Sequence, residues 1–291
     1  MEDITGPFRA NEALAAGDIT RGRLAGPATT RLFPNVRVAA GRAAPRDDLV
    51  GRAREAVLYV RGDPPVVGGY AAAEVHGAAI APTMAPVDLV VGRRSVRPRP
   101  GLTIRRDVLA EGDVEQRGGL LVTTPERTAW DLVRRLGFTD GVVALDALAR
   151  VGKFDPERLL ERPAGARGAR RVGPAVEASD PRAGSRPETV MRLVMARFDV
   201  PRPRLQLEVH DAQDLFVARV DFGWEEFKVA AEYQGDGHRE DQQQWRRDQS
   251  RLAELASCGW IVVPCTADDL RLPLTFVRRL LKTLALRGCL V

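Results

Sequence analysis

The sequence predicts an α/β protein, α+β in its overall organisation, that is built from more than one domain. Its length of 291 residues corresponds to about two domains of ordinary size. After Ser185 the chain shows a helix-type segment, three strand-type segments, a helix, a strand and a closing helix. This order is typical of a mixed sheet flanked by helices. The first 50 residues instead predict two short helices and a small pair of strands.

Composition and charge argue against a membrane protein and leave a polyanionic partner open. Hydrophobic residues make up 44% of the chain, but no apolar run approaches the roughly 18 residues of a transmembrane helix. Acidic residues stand near the N-terminus, where a secretory signal would carry basic ones, so we expect a cytoplasmic protein. Of 44 basic and 39 acidic residues, 16 of each follow Gly184, so the positive surplus lies in the first 184 residues. The three cysteines lack zinc-site spacing and predict reduced thiols.

The N-terminal segment predicts a small DNA-contacting region. Residues 9–16 (RANEALAA) predict a helix that ends at Gly17, and Thr20 is a candidate N-cap of a second short helix. The next segment, TTRLFPNVRVAAG, predicts two strands around Pro34 and Asn35. Two helices followed by a basic hairpin resemble a winged helix-turn-helix, in which cations on the second helix and the wing contact DNA. The candidate DNA-contacting residues are Arg21, Arg23, Arg31 and Arg37.

Residues 51–161 predict a packed scaffold of helices and strands. Within it, Thr124 is a candidate N-cap with Pro125 in the first helical turn. Its polar residues His76, Arg127 and Asp131 are expected to make structural contacts. The order of the small N-terminal region, GYAAAEVHGA, TTPERTAWDL and VVALDALAR resembles the AbiE-type antitoxin-like proteins of bacteria over the first 150 residues. That resemblance implies a toxin or another protein as a partner.

The segment 162–184 predicts a flexible linker, because it is rich in Pro, Gly and Ala and has no helical or strand periodicity. It carries five arginines against two acidic residues, which fits either a solvated tether or a DNA-contacting arm. The predicted organisation is a winged-helix-like region (1–50), an antitoxin-like α/β scaffold (51–161), the linker (162–184) and a C-terminal domain (185–291).

Acidic residues interrupt two neighbouring strands of the predicted C-terminal sheet. Asp221 lies between Val220 and Phe222, and Glu232 follows the apolar run of the next strand. An unpaired buried carboxylate costs several kcal/mol, so two of them predict a shared cation. Mg²⁺ binds one or two carboxylates together with waters and phosphate oxygens. Gln234 falls on the same strand face as Glu232, about 7 Å along the backbone.

The elements VDF, EYQGDGH and RRDQSRLAELASCGWIVV resemble, in this order, the PD-(D/E)XK nucleases and their very-short-patch-repair branch. The resemblance covers Ser185 to about Leu270 and implies a restriction-endonuclease-like sheet that hydrolyses DNA phosphodiesters with Mg²⁺ or Mn²⁺. By the resemblance, Asp221 and Glu232 bind the metal, Gln234 replaces the usual lysine, His238 is an acid or base, and Glu188 is an outer ligand. On the following helix, Arg247 and Arg251 are candidate DNA contacts.

Several residues have a structural alternative. Ser185 and Glu188 also form a capping-box pattern at the start of a helix, and Arg251 could pair with Asp248 at i and i+3. At the level of function, a metal-dependent endonuclease in DNA repair or phage defence competes with a non-catalytic, antitoxin-like DNA-binding regulator that uses a degenerate nuclease fold. The neutral charge balance after Gly184 favours the regulator, whereas the acids and the histidine together favour the enzyme.

Overall fold

A computed structural model describes residues 6–235 and 242–290, with the backbone alone for 242–245. The predicted α/β class is confirmed: helices flank a five-stranded and a four-stranded mixed sheet, and a third, three-stranded sheet is antiparallel. By its internal contacts the chain divides into two compact units, Met1–Leu136 with Leu148–Gly173, and Gly137–Ala147 with Pro174–Val291. Among the described residues, no helix is long and apolar enough to cross a membrane.

The first unit contains the N-terminal sheet and the five-stranded sheet. Its elements in chain order are β1 (Phe8–Arg9), α1 (Ala10–Ala16), α2 (Arg21–Ala25), β2 (Thr29–Phe33), β3 (Val36–Ala39), α3 (Leu49–Val57), β4 (Val66–Gly68), α4 (Gly69–His76), β5 (Val87–Val90), β6 (Leu102–Arg105), β7 (Val114–Arg117), β8 (Leu120–Thr123) and α5 (Pro125–Arg135). The next two helices, α6 (Phe138–Gly152) and α7 (Val172–Glu177), have residues in both units.

The N-terminal elements follow the sequence closely. Gly17 ends α1 in the left-handed conformation (φ 79°), where the absence of a Cβ removes the usual steric penalty. Thr20 caps α2 by accepting a hydrogen bond from the amide of Arg23. Strands β2 and β3 form the predicted hairpin, and β1 adds to β3 to give the order β1-β3-β2. Asn35 in the hairpin turn accepts from the amide of Asn11 at 2.9 Å, which ties the turn to α1.

The scaffold sheet has the order β6-β5-β4-β8-β7. The predicted cap of α5 is confirmed, since Thr124 Oγ1 accepts from the Arg127 amide at 3.4 Å. The short strands β4, β7 and β8 are absent from the sequence prediction because VVG, VEQR and LLVT show no alternation of apolar and polar residues. His76 Nε2 lies 2.7 Å from the carbonyl oxygen of Thr123, as expected for a structural residue.

The segment predicted as a linker is folded where it meets the scaffold. Within it, Ala169–Arg171 is a 3₁₀ turn and α7 follows at once; another 3₁₀ turn, Pro156–Glu161, directly precedes the segment. Arg162 donates to Asp113 Oδ1 at 2.7 Å and to Glu126 Oε1 at 3.0 Å. Arginine contacts with distant carboxylates therefore support part of a segment that has no periodicity of its own, and its predicted flexibility stays a prediction. The predicted domain boundaries stay predictions.

The second unit is built on the four-stranded sheet with the order β12-β11-β10-β9. Strands β9, β10 and β11 form the predicted antiparallel meander, and β12 pairs in parallel with β11, which makes β11 an interior strand as expected. The elements are α8 (Arg186–Arg197), β9 (Arg204–His210), β10 (Phe216–Trp224), β11 (Val229–Tyr233), α9 (Gln242–Ser257), β12 (Ile261–Cys265), α10 (Ala267–Arg271) and α11 (Leu274–Leu286). Met191 and Met195 of α8 and Leu280 of α11 share one buried core with the sheet.

Candidate functional site

Two carboxylates lie side by side in the second unit. Asp221 on β10 and Glu232 on β11 flank the cross-strand pair Phe222↔Ala231. Glu232 is buried, with 6% of its surface exposed. Asp221 is half-buried, and its Oδ2 accepts a hydrogen bond from the backbone amide of Tyr233 at 3.0 Å. The strand register therefore brings the two predicted acids to neighbouring positions.

Arg251 of α9 forms an ion pair with the carboxylate of Glu232. Its Nη1 lies 2.6 Å from Oε1 and its Nη2 lies 2.8 Å from Oε2, so both carboxylate oxygens accept from one guanidinium. This two-point geometry is the strongest ion pair available to a protein carboxylate, and it raises the pKa of Arg251. The alternative in which Arg251 pairs chiefly with Asp248 is wrong for the described contacts. Because both Nη atoms of Arg251 bind Glu232, this arrangement does not favour the predicted contact of Arg251 with a DNA phosphate.

Glu188 is likewise engaged by the protein. Its Oε1 accepts from Ser185 Oγ at 2.8 Å, while Oε2 accepts from the Gly184 amide at 2.6 Å and from Gln206 Nε2 at 2.9 Å. Ser185 also caps α8 through the Glu188 amide, but the Glu188 carboxylate accepts from the Gly184 amide and the Ser185 hydroxyl, so half of the predicted capping box is present. Gln206 reaches Glu188 from β9 with φ 50°, a left-handed conformation that is rare for a residue other than glycine.

The pKa of Asp221 is shifted by its surroundings in this cluster. Burial raises the pKa of Asp221 from 3.8 to about 6, the hydrogen bond from the Tyr233 amide opposes that rise, and the charges of Glu188 and Glu232 add to it. A carboxyl group whose pKa lies near neutrality is a recurrent property of functional sites, although structural networks also produce it. The cluster of Glu188, Gln206, Asp221, Glu232 and Arg251 is called the carboxylate cluster below.

The carboxylate cluster as arranged does not fit a metal ion. Glu232 and Glu188 have both oxygens engaged, and only Asp221 Oδ1 makes no hydrogen bond among those found in the described part of the chain. Within residues 6–235 and 242–290, no group of three or more His, Cys, Asp or Glu side chains could hold a metal ion. Gln234 is exposed directly after β11, and its backbone N–H donates to the carbonyl oxygen of Cys265 at 2.8 Å. His238 lies outside the described residues, and the predicted metal site stays a prediction.

A second candidate site is the set of arginines on α2, β2 and β3 of the N-terminal region. A four-residue turn from Gly17 to Thr20 joins α1 to α2, and Ala13, Ile19 and Leu24 form the small core beneath it. Two helices joined by such a turn and followed by a hairpin are typical of a winged helix-turn-helix. Three of the four predicted DNA-contacting residues are exposed, namely Arg21, Arg23 and Arg31. The fourth, Arg37, is half-buried and donates to Thr29 Oγ1 at 3.0 Å.

Asp221, Glu232 and Glu188 belong to one cluster in the structure, and two further members of that cluster, Gln206 and the arginine that binds Glu232, are not predicted from the sequence. Gln206 gave no signal, because its role depends on a local left-handed backbone within β9. Arg251 was assigned to DNA, although a basic residue facing a buried acid from the next helix is an ordinary structural pair. Arg247, the other candidate on α9, is exposed. No described contact assigns Arg247 a role.

The fold combines two short N-terminal helices and a three-stranded antiparallel sheet with a five-stranded α/β scaffold and a four-stranded mixed-sheet unit. Residues 65–177 match the family model "AbiEi antitoxin C-terminal domain", which extends through most of the segment predicted as a linker. Two proteins of Mycobacterium tuberculosis, from strains CDC 1551 / Oshkosh and ATCC 25618 / H37Rv, are each 33% identical over 232 residues, which is 79% of this chain and 84% of each relative. Both carry the name uncharacterized protein.

The chain belongs to the same family as these two mycobacterial proteins, and its residues 65–177 are similar to the AbiEi antitoxin C-terminal domain. The predicted antitoxin-like scaffold is confirmed at this level. The resemblance of the C-terminal region to very-short-patch-repair nucleases receives no support from these relatives.

Proposed function

We propose that the protein is an antitoxin-like regulator that binds duplex DNA through its N-terminal region. The observation that carries this proposal is the exposure of Arg21 and Arg23 on α2, the second helix of the helix-turn-helix, in a chain that also contains an AbiEi antitoxin domain. In this class of motif the second helix approaches the major groove while neighbouring cations contact phosphates. Arg31 on β2 extends the same positive charge to the wing.

The name of the matched domain also suggests a protein partner. We propose that a toxin protein is the second partner of the chain, with residues 65–177 as the region that contacts it. The N-terminal region can bind DNA while the scaffold binds a toxin, because the two activities use different elements of the first unit.

Removal of two cations from α2 should weaken DNA binding strongly. We expect Arg21→Ala/Arg23→Ala to lower the affinity for DNA roughly 10- to 100-fold, and to reduce the slope of log affinity against log salt by about 1.8, since each phosphate contact contributes about 0.9. The measurement is fluorescence anisotropy with duplexes selected from a random library by the wild-type protein, repeated at several salt concentrations.

The matched control removes the same charge elsewhere. Arg202→Ala/Arg278→Ala changes two exposed arginines of the second unit and should leave both the affinity and the salt slope nearly unchanged. Equal loss in both double variants would mean that net charge, and not the N-terminal region, controls binding. Circular dichroism of each variant verifies that the fold is retained.

A second candidate function is metal-dependent cleavage of DNA, favoured by the raised pKa of Asp221 beside Glu188 and Glu232. For Mg²⁺ or Mn²⁺ to bind there, Arg251 would have to leave Glu232, because that guanidinium engages both oxygens. This requirement makes the closed cluster a better fit to a binding module than to a nuclease. DNA repair and phage defence are the settings in which such an activity would serve.

Cleavage is tested with purified protein and single-stranded, duplex and mismatched DNA, in Mg²⁺, Mn²⁺ or chelator. If the second candidate is correct, Asp221→Ala abolishes cleavage without changing DNA affinity, and Gln234→Lys keeps or raises cleavage because it supplies the cation of the usual motif. We expect no cleavage by the wild-type protein under any of these conditions. Chelator-sensitive cleavage that depends on Asp221 would replace the regulator proposal for the second unit.

A further inference from the structure

A cavity in the first unit is lined by arginines from three separate segments. Its volume is about 910 Å³, within the roughly 300–1,000 Å³ range of small-molecule pockets. Arg105 and Arg106 come from the end of β6, and Arg134 and Arg135 from the last turn of α5. The remaining three, Arg167, Arg170 and Arg171, come from the segment predicted as a linker. This site is called the arginine pocket below.

The backbone holds this wall in place. Gly168 adopts φ 83°, and a Cβ there would lie 2.3 Å from the carbonyl oxygen of Arg134, so only glycine permits this approach. Arg171 Nη1 donates to the carbonyl of Leu136 at 2.8 Å, and Arg134 Nη1 donates to the carbonyl of Arg167 at 3.0 Å. The turn at Gly168 is therefore fastened to the C-terminal end of α5.

Positive charge in the arginine pocket exceeds its local compensation. Arg134 and Arg135 share the carboxylate of Asp131, and Asp107, the one acid on the wall, is bound at 2.6 Å by Arg127 from outside the pocket. The ion pairs found in the described part of the chain include none made by Arg106, Arg167, Arg170 or Arg171.

Two arginines of the pocket are largely buried. Arg134 has only 9% of its surface exposed, and its Nε makes no hydrogen bond within the described residues. Burial, with the guanidinium groups of Arg105 and Arg134 adding to it, lowers the pKa of Arg135 despite the nearby carboxylates of Asp131 and Asp88. Like charges gathered in one cavity destabilise the folded protein unless an anion enters.

The residues that line the arginine pocket indicate which kind of anion it binds. Arginine presents several N–H donors in a plane and binds phosphate oxygens at two points. The lining consists of arginines with Asp107 and Gly168, so no apolar or aromatic side chain lines the cavity to form a dedicated nucleobase site. A concave wall formed by three segments also suits a compact polyanion better than the outer surface of a duplex.

We propose that the arginine pocket binds the phosphate chain of a polyphosphorylated small molecule, such as a nucleoside triphosphate, without discriminating its base. Arg167 and Arg170 are the exposed cations that meet the phosphates, and Arg134 forms the floor. The site is separate from the N-terminal DNA-contacting face.

Titration calorimetry of the full chain with inorganic tripolyphosphate, ATP and GTP tests this proposal. We expect the three compounds to bind with similar affinity, orthophosphate to bind far more weakly, and Arg167→Ala/Arg170→Ala to weaken tripolyphosphate binding by roughly tenfold or more. The matched control Arg46→Ala/Arg93→Ala removes two exposed arginines outside the pocket and should bind as the wild type does.

Three results would overturn the proposal. The first is no binding of tripolyphosphate by the wild-type protein. The second is ATP or GTP binding without tripolyphosphate binding, which would show that the base and not the phosphate chain is recognised. The third is loss of duplex DNA affinity in Arg167→Ala/Arg170→Ala in the absence of any polyphosphate binding, which would make the pocket a DNA-backbone contact. Retention of the wild-type circular dichroism and melting temperature separates these outcomes from misfolding.

Discussion

Substitution of Arg127 by alanine is expected to lower the free energy of unfolding by about 3–5 kcal/mol, the loss typical of breaking a buried ion pair on one side. Arg127 is 4% exposed. It donates to Asp107 at 2.6 Å, to Asp113 at 2.7 Å and to Asp131 at 3.1 Å. Loss of this guanidinium leaves buried carboxylates short of one cation. Arg127→Lys should also destabilise the protein, because one ammonium group cannot reproduce three directed contacts.

Urea denaturation monitored by circular dichroism measures this loss. The matched control is Arg158→Ala, which removes an arginine with 59% side-chain exposure that pairs with Glu126 at 3.3 Å. Exposed pairs contribute only about 0–1 kcal/mol, so the control should remain near the wild type. If Arg127→Ala unfolds at the same urea concentration as the control, Arg127 is not an essential part of the scaffold.

Asp221→Asn is expected to stabilise the protein at pH 8 and to have little effect at pH 4. The folded protein raises the pKa of Asp221 from 3.8 to about 6, so the folded state holds its proton more tightly than the unfolded state does. The stability that this proton contributes is present below about pH 4 and is lost as the pH rises towards about 6. An asparagine has no proton to lose over this pH range, so its contribution to stability does not fall. Its side-chain oxygen can still accept the hydrogen bond from the Tyr233 backbone N–H.

The expected gain at pH 8 is roughly 1–3 kcal/mol, from a shift of about two pKa units at about 1.4 kcal/mol each, reduced by partial exposure. Chemical denaturation at a series of pH values, in the presence of chelator, gives the pH-dependence of the unfolding free energy. Asp18→Asn, at an exposed position of the first unit, is the control and should leave the curve unchanged. A gain that is equal at pH 4 and pH 8 would exclude proton linkage as the cause.

Local patterns predicted the elements of the fold well. The caps at Thr20 and Thr124, the helix end at Gly17 and the presence of a closing helix, α11, agree with the structure. Each depends on a few adjacent residues, whose hydrogen bonds and backbone preferences act over one or two turns. The short strands β4, β7 and β8 are not predicted, because none of them alternates apolar and polar residues.

At the functional sites, too, local sequence predicts the positions of residues but not their long-range partners. The neighbouring carboxylates of Asp221 and Glu232 follow from strand order, whereas their chemistry depends on Arg251, which arrives from α9 and closes Glu232 with two hydrogen bonds. The residues of the predicted linker show the same limit. Arg162 reaches Asp113 from 49 positions away, and its neighbours Arg167 and Arg170 line a cavity with residues of β6 and α5.

The sequence by itself determined the α/β class, the helix caps, the meander of the second unit and the positions of its acids. These properties follow from periodicity and capping, which are encoded in residues close together along the chain. The tertiary structure alone decided which charges meet. A carboxylate binds a metal or an arginine according to what packs against it, and the attraction between opposite charges falls off over a few ångströms. Such distances between remote segments are established only when the core has formed.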